Sequence, residues 1–124
     1  MFNPEDFLLF AKNLIGQASD EKTARTCIGR TYYAAHLTAR EKIRRYFPTE
    51  LQKLEKKGDE HKFVRDRLID RNHADISNKL IGLARKRNRA DYNLANYQSL
   101  AEQQKEVTNA IQLCENIIFL LKSV

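Results

Sequence analysis

Tryptophan is absent from this 124-residue chain, and there are only two prolines, four glycines and two cysteines. Each scarcity removes a class of structure. So few breakers leave little material for the many turns of a β-sandwich or barrel, and long helices joined by short loops are the economical alternative. Cys27 and Cys114 fall among apolar residues at helical spacing, which suits small core residues rather than a redox pair. His36, His61 and His73 share no ligand-like spacing with each other or with the cysteines, so neither a metal nor any other cofactor is implied. The longest apolar run, Ile117-Ile118-Phe119-Leu120-Leu121, is far short of the roughly 20 residues that span a membrane. Met1-Phe2-Asn3-Pro4-Glu5-Asp6 lacks the basic start and apolar stretch of a signal peptide, and a cytoplasmic protein without membrane attachment is expected. No glycine-rich phosphate loop, nucleophile triad or metal cluster points to a familiar enzyme class.

What the chain does have is charge. Asp, Glu, Lys and Arg make up 31% of it, with a net charge of +6. The excess is local: residues 53–89 hold twelve Lys/Arg against six Asp/Glu, so the rest of the chain is neutral overall. Such a patch favours phosphate-rich partners through Coulomb attraction and counterion release, with a solvated helix face as the plain alternative. A length of 124 residues fits a single domain, residues 1–124, with one modest core.

Asn3 ahead of Pro4, Glu5 and Asp6 is a helix start, with a side-chain acceptor, a proline that needs no amide partner, and acids at the positive end of the dipole. The first helix is predicted from about Pro4 to Ala18, aligning Phe7, Phe10, Ala11 and Leu14 on one face. Ser19-Asp20-Glu21 repeats the signal and opens a helix to about Tyr46, where Phe47-Pro48 ends it. Ile28, Tyr32, Ala35, Ala39 and Ile43 form its core stripe. The stretch from Thr49 to Lys57 reads as a mobile helical connector stopped by Gly58-Asp59. Helical pattern returns from Glu60 to Asp70, and again from Asn72 as a cap, through Ile76, Leu80, Leu83 and Ala84 to Arg87. In the last helix Leu100, Gln104, Val107, Ile111, Cys114, Ile118 and Leu121 alternate steps of four and three, a packing seam.

On the second helix, a step of about 100° per residue gathers Arg30, Tyr33, Leu37, Arg40 and Arg44 within an arc of about 80°. Guanidinium groups on that stripe can fork phosphates while the tyrosine ring stacks on a base; the plain alternative is arginines snorkelling over a partner helix. A second cluster, Arg85-Lys86-Arg87-Asn88-Arg89, precedes Ala90-Asp91-Tyr92. Cations near a helix C-terminus oppose its dipole, worth about 0.3–1 kcal/mol each. Four within five residues exceed that need, and their repulsion is relieved if Asp91 pairs with one and an anion or RNA backbone neutralises others. Arg30 to His36 and Arg67 to His73 share a spacing of six, a number of matches that chance supplies. His36 reads as a core residue and His73 as a distant catalytic candidate.

Two segments, Gly29-Arg30-Thr31-Tyr32-Tyr33-Ala34-Ala35-His36-Leu37-Thr38-Ala39-Arg40 and Arg87-Asn88-Arg89-Ala90-Asp91-Tyr92, resemble the HEPN superfamily, in particular its small stand-alone members with an Arg-x-x-Ala-Asp-Tyr ending. The resemblance implies an all-α fold, an antiparallel bundle of four main helices with short connecting helices, and a homodimer. It implies an RNA- or nucleotide-directed component of a prokaryotic toxin–antitoxin or defence system, in its catalytic form a metal-independent endoribonuclease. The alternative within the same resemblance is a non-catalytic module that partners a nucleotidyltransferase or another defence protein. Catalytic members pair an arginine with a histidine four to six residues on, often as Arg-Asn-x-x-x-His. Arg87-Asn88 matches the first two positions, whereas the histidine window holds Tyr92, Asn93 and Leu94. An unperturbed tyrosine costs roughly 4 kcal/mol to ionise at pH 7, so Tyr92 is a poor general base, though it can hydrogen-bond a phosphate or a 2′-hydroxyl. The site expected from the resemblance and the charge pattern is therefore Arg87 and Tyr92 as catalytic residues. Arg30, Tyr33, Arg40, Arg44, Arg85, Lys86 and Arg89 would bind phosphate, and Asn88 and Asp91 would support the site.

Overall fold

The structure, a computed structural model, describes residues 6, 9, 13, 21–54, 57–92 and 100–124, the side chains of 21–23, 57, 58, 90–92 and 100 excepted. These residues form helices and turns without any strand. The elements are α1 (Glu21–Tyr46), the short α2 (Pro48–Gln52), α3 (Lys57–Asp70), α4 (Ala74–Tyr92) and α5 (Leu100–Leu121). Asp6, Leu9 and Asn13 are helical, as the first predicted helix requires; the rest of that helix lies outside the described residues.

α1 is the central element because its sequence permits close approach from several sides. Ala24, Cys27, Ala34, Ala35 and Ala39 are buried along it, with Ile28, Tyr32 and Ile43 supplying contact area. Its hydroxyls cost nothing in this setting, since Thr31 Oγ1 donates to the Cys27 carbonyl at 2.7 Å and Thr38 Oγ1 to the Ala34 carbonyl at 2.6 Å. α5 packs most extensively against α1, and α4 packs against both. From α5, Val107, Ala110, Ile111, Cys114, Ile117, Ile118 and Leu121 enter the core. Each fully buried leucine or isoleucine there contributes roughly 1.5–3 kcal/mol. Of the predicted seam, Val107, Ile111, Cys114, Ile118 and Leu121 are buried, and the side chain of Leu100 lies outside the described residues. At the polar position Gln103 is buried and Gln104 exposed, because Gln103 lies four residues before Val107 on the inward stripe. Both cysteines are buried without a disulfide between described residues, and burial raises the Cys27 thiol above its ordinary pKa.

α1 ends where the sequence predicts, with Pro48 in the first turn of α2, where no amide hydrogen bond is lost. Two boundaries differ from expectation. Gly58 and Asp59 belong to the first turn of α3 rather than stopping a connector; amides there need no intrahelical partner, and Asp59 and Glu60 favour the positive helix end. At the other end of α3, Asn72 does not cap α4 but closes α3. Its φ of 66° is left-handed, the Asn72 amide donates to the Ile69 carbonyl at 3.0 Å, and the His73 amide to the Leu68 carbonyl at 2.8 Å. This is the paired hydrogen-bond pattern of a Schellman turn, which asparagine tolerates better than other non-glycine residues. The His73 carbonyl then accepts from the Ser77 amide at 3.2 Å and begins α4. The tight turn sends α4 back along α3, so the start of α3 faces the end of α4 beside the middle of α1.

Candidate functional site

That topology opens a cleft of about 670 Å³ between α1, α3 and α4. α1 contributes Tyr32, Tyr33, His36, Leu37 and Arg40 to its lining; α3 contributes Glu60, His61 and Arg65; and α4 contributes Ala84, Arg87 and Asn88. Three guanidinium groups thus face one carboxylate across a half-open space.

The rings are ordered as a stack. His36 and His61 lie face to face with centroids 3.8 Å apart and planes 6° from parallel, and the Tyr32 ring continues nearly in plane alignment beside them. The Tyr32 hydroxyl is hydrogen-bonded to His61 Nδ1. Arg87 extends from α4 over both tyrosine rings, its guanidinium carbon 5.1 Å from the Tyr32 centroid and 4.9 Å from that of Tyr33. It also donates to the Tyr33 hydroxyl at 3.4 Å. On the opposite wall Glu60 Oε1 lies 3.0 Å from Arg40 Nε and 3.4 Å from His36 Nε2. Neither nitrogen is aligned for a hydrogen bond with it, so the Arg40 contact is an ion pair without directional bonding and the His36 contact a close approach of a ring to the carboxylate.

Both imidazoles are held neutral. Burial first, then His61 and the positive charges of Arg40, Arg65 and Arg87, push His36 down to about 3. Glu60 pulls the other way, but its charge is shared with Arg40 at the shorter distance, and three guanidiniums outweigh one carboxylate. His61 is lowered by burial, with Arg87 and Arg65 adding to the effect. Burial raises the Tyr32 phenol above its ordinary pKa although Arg65 and Arg87 oppose this, so it keeps its proton as a donor.

A second cavity of about 510 Å³ adjoins the first, shares Arg40 and Glu60 with it, and adds Arg44, Pro48, Leu51, Gln52 and Leu54. Of the phosphate-binding residues expected from sequence, Tyr33 and Arg40 thus line the cleft together with Arg87 and Asn88, and Arg44 lines its neighbour. Arg30 is exposed on α1 and belongs to neither lining. The basic cluster of α4 divides. Arg85 is exposed outside both cavities, Lys86 Nζ lies 3.5 Å from Glu106, and Arg89 approaches Glu102 at 3.4 Å and Glu106 at 3.9 Å, so Lys86 and Arg89 tie α4 to α5. The backbone at Asp91 and Tyr92 is helical in α4; their side chains lie outside the described residues. His73 sits at the α3–α4 turn, apart from the cleft.

Glu60, His61 and Arg65 were not singled out in sequence, and His36 and Tyr32 were read as core alone. His36 and Tyr32 are both, being 3% exposed yet lining the cleft. A signal for the α3 residues does exist, since His61 and Arg65 are four apart and share a helix face with the buried Leu68. Comparisons with protein-family models, with curated proteins and with solved structures find no match to this chain.

Proposed function

We propose that this chain is a HEPN-like, RNA- or nucleotide-directed protein of a prokaryotic toxin–antitoxin or defence system, working as a homodimer through the cleft between α1, α3 and α4. Its main support is the lining itself: Arg40, Arg65 and Arg87 converge with two tyrosines and two neutral imidazoles, around a single carboxylate. Guanidiniums fork phosphate oxygens, and the exposed edges of aromatic rings offer stacking surface to a base. In the cleavage form of this reading, Arg87 stabilises charge developing on phosphorus, and His61 supplies the proton-transfer group absent from positions 92–94.

The second reading, a non-catalytic module that binds a nucleotidyltransferase or other defence protein, is favoured by one observation. Arg87 is already engaged with Tyr33 and both tyrosine rings, a role that steadies the α1–α4 contact without any ligand. RNA titration at two salt concentrations, with cleavage followed in EDTA, tests the first reading. Binding that weakens steeply with salt supports it. Intact RNA, no salt-sensitive binding, and retention of a protein partner support the second.

A further inference from the structure

Resting on the phosphate-binding reading of this cleft, we propose that its ligand is a terminal phosphate, the phosphomonoester of a nucleotide or of an RNA end, in preference to an internal phosphodiester. The described lining carries three guanidiniums against one carboxylate, a formal surplus of two positive charges with the histidines neutral. A phosphomonoester above its second ionisation, near pH 6, carries close to two negative charges, whereas an internal diester carries one.

The donor count leads the same way. Glu60 is the acceptor-only side chain of the lining, and Arg40 occupies it. Arg65 lines the cleft without an ion pair or hydrogen bond to a described residue, and its charge acts on Tyr32, His36 and His61 alike. His61 Nε2 has no hydrogen-bond partner among the described residues and is not sealed from solvent by them, while Nδ1 is taken by Tyr32. A phenol that keeps its proton donates to Nδ1, leaving the ring proton on Nε2 as a donor toward the cleft. A ligand here must therefore be rich in acceptors and poor in donors. A terminal phosphate offers three acceptor oxygens, and a diester only two that are not bridging.

The adjoining cavity accounts for the remainder of the ester. Pro48, Leu51 and Leu54 give it apolar wall, and Arg44, one helical turn beyond Arg40, is placed for a following phosphate.

The test is equilibrium binding of 5′-AMP, its phosphate methyl ester, adenosine, and a tetraribonucleotide with and without a 5′-phosphate. Expected are at least tenfold tighter binding of AMP than of the methyl ester, negligible adenosine binding, and loss of most of that discrimination in Arg65→Ala. His61→Gln, which keeps an N–H donor, should retain more affinity than His61→Ala. Lys105→Ala, exposed on α5 and outside both linings, should behave as the unaltered chain, and circular dichroism checks that each variant is folded. Weaker binding of the phosphorylated tetranucleotide, but not of AMP, in Arg44→Ala identifies an RNA end as the ligand; binding of AMP with exclusion of the tetranucleotide identifies a free nucleotide. Equal affinity for AMP and its methyl ester, or equal affinity for two tetranucleotides that both bind, overturns the preference while leaving the phosphate cleft standing. Absence of binding by all five ligands removes the cleft reading as well.

Discussion

His36 on α1 and His61 on α3 stack face to face with centroids 3.8 Å apart, in a cleft where Arg65 and Arg87 disfavour protonation of both. A proton placed on either ring is opposed by Arg65 and Arg87, and one on His36 by His61 and Arg40 as well.

The first prediction concerns pH. In the unfolded chain His36 binds its proton near 6.5, whereas in the folded chain it does so only near 3. A depressed folded pKa means stability that is present above 6.5 and lost as pH falls toward 3, on the order of 3–5 kcal/mol at most and less where cleft water softens the burial cost. Urea unfolding at pH 7.5 and pH 4.5 should show this loss, and His36→Phe should flatten it. An equally steep acid dependence in His36→Phe would assign the effect to other groups.

A second prediction addresses the α3–α4 turn. Asn72→Gly should leave stability nearly unchanged, and Asn72→Val should cost about 1–2 kcal/mol, because a β-branched residue resists a φ of 66°. Denaturant midpoints decide between this and a turn indifferent to residue type.

The basic residues of α4 should separate by function. Arg87→Ala should weaken nucleotide or RNA binding tenfold or more, about 1.4 kcal/mol. Lys86→Ala and Arg89→Ala should alter binding little and lower stability by no more than about 1 kcal/mol, since their ion pairs with Glu102 and Glu106 are partly solvated. Binding and melting measured on the same three variants provide the comparison.

If the chain cleaves RNA, cleavage should survive EDTA, require the 2′-hydroxyl, and collapse in Arg87→Ala and His61→Ala, while His73→Ala retains it. Loss confined to His73→Ala would move the chemistry to the α3–α4 turn, away from the cleft.

How much of this could be read from residue order differs between the helices. The end of α1 at Phe47-Pro48 and the inward stripe of α5 were legible because both follow from local rules, the loss of a proline amide and a period near 3.6. On the site side, the stripe of Arg30, Tyr33, Leu37, Arg40 and Arg44 was legible for the same reason, as one face of one helix, although Arg30 at its start lines neither cavity and Arg44 lines the second. Glu60, His61 and Arg65 were not, because among Asp59, Lys62 and Asp66 they resemble any solvated helix start. The face that His61 and Arg65 share with Leu68 marks them as inward, but their meaning depends on α3 folding across α1, a tertiary relationship that this local pattern does not specify. Lys86 and Arg89 show the converse: their charge pattern suggested phosphate, and their partners proved to be carboxylates of α5.

The left-handed residue at Asn72 acts as the pivot of a pair of levers. His61 lies eleven residues before it and Arg87 fifteen after, distances of roughly 16 and 22 Å along their helices. A change of about 10° in the angle between the two arms would move the cleft walls by about 3 Å, comparable to the length of a hydrogen bond. The spacing of the groups proposed to hold a phosphate is thus gauged at a point outside the cleft, and, on that proposal, alterations at the turn should register as changes in ligand affinity before they register as unfolding.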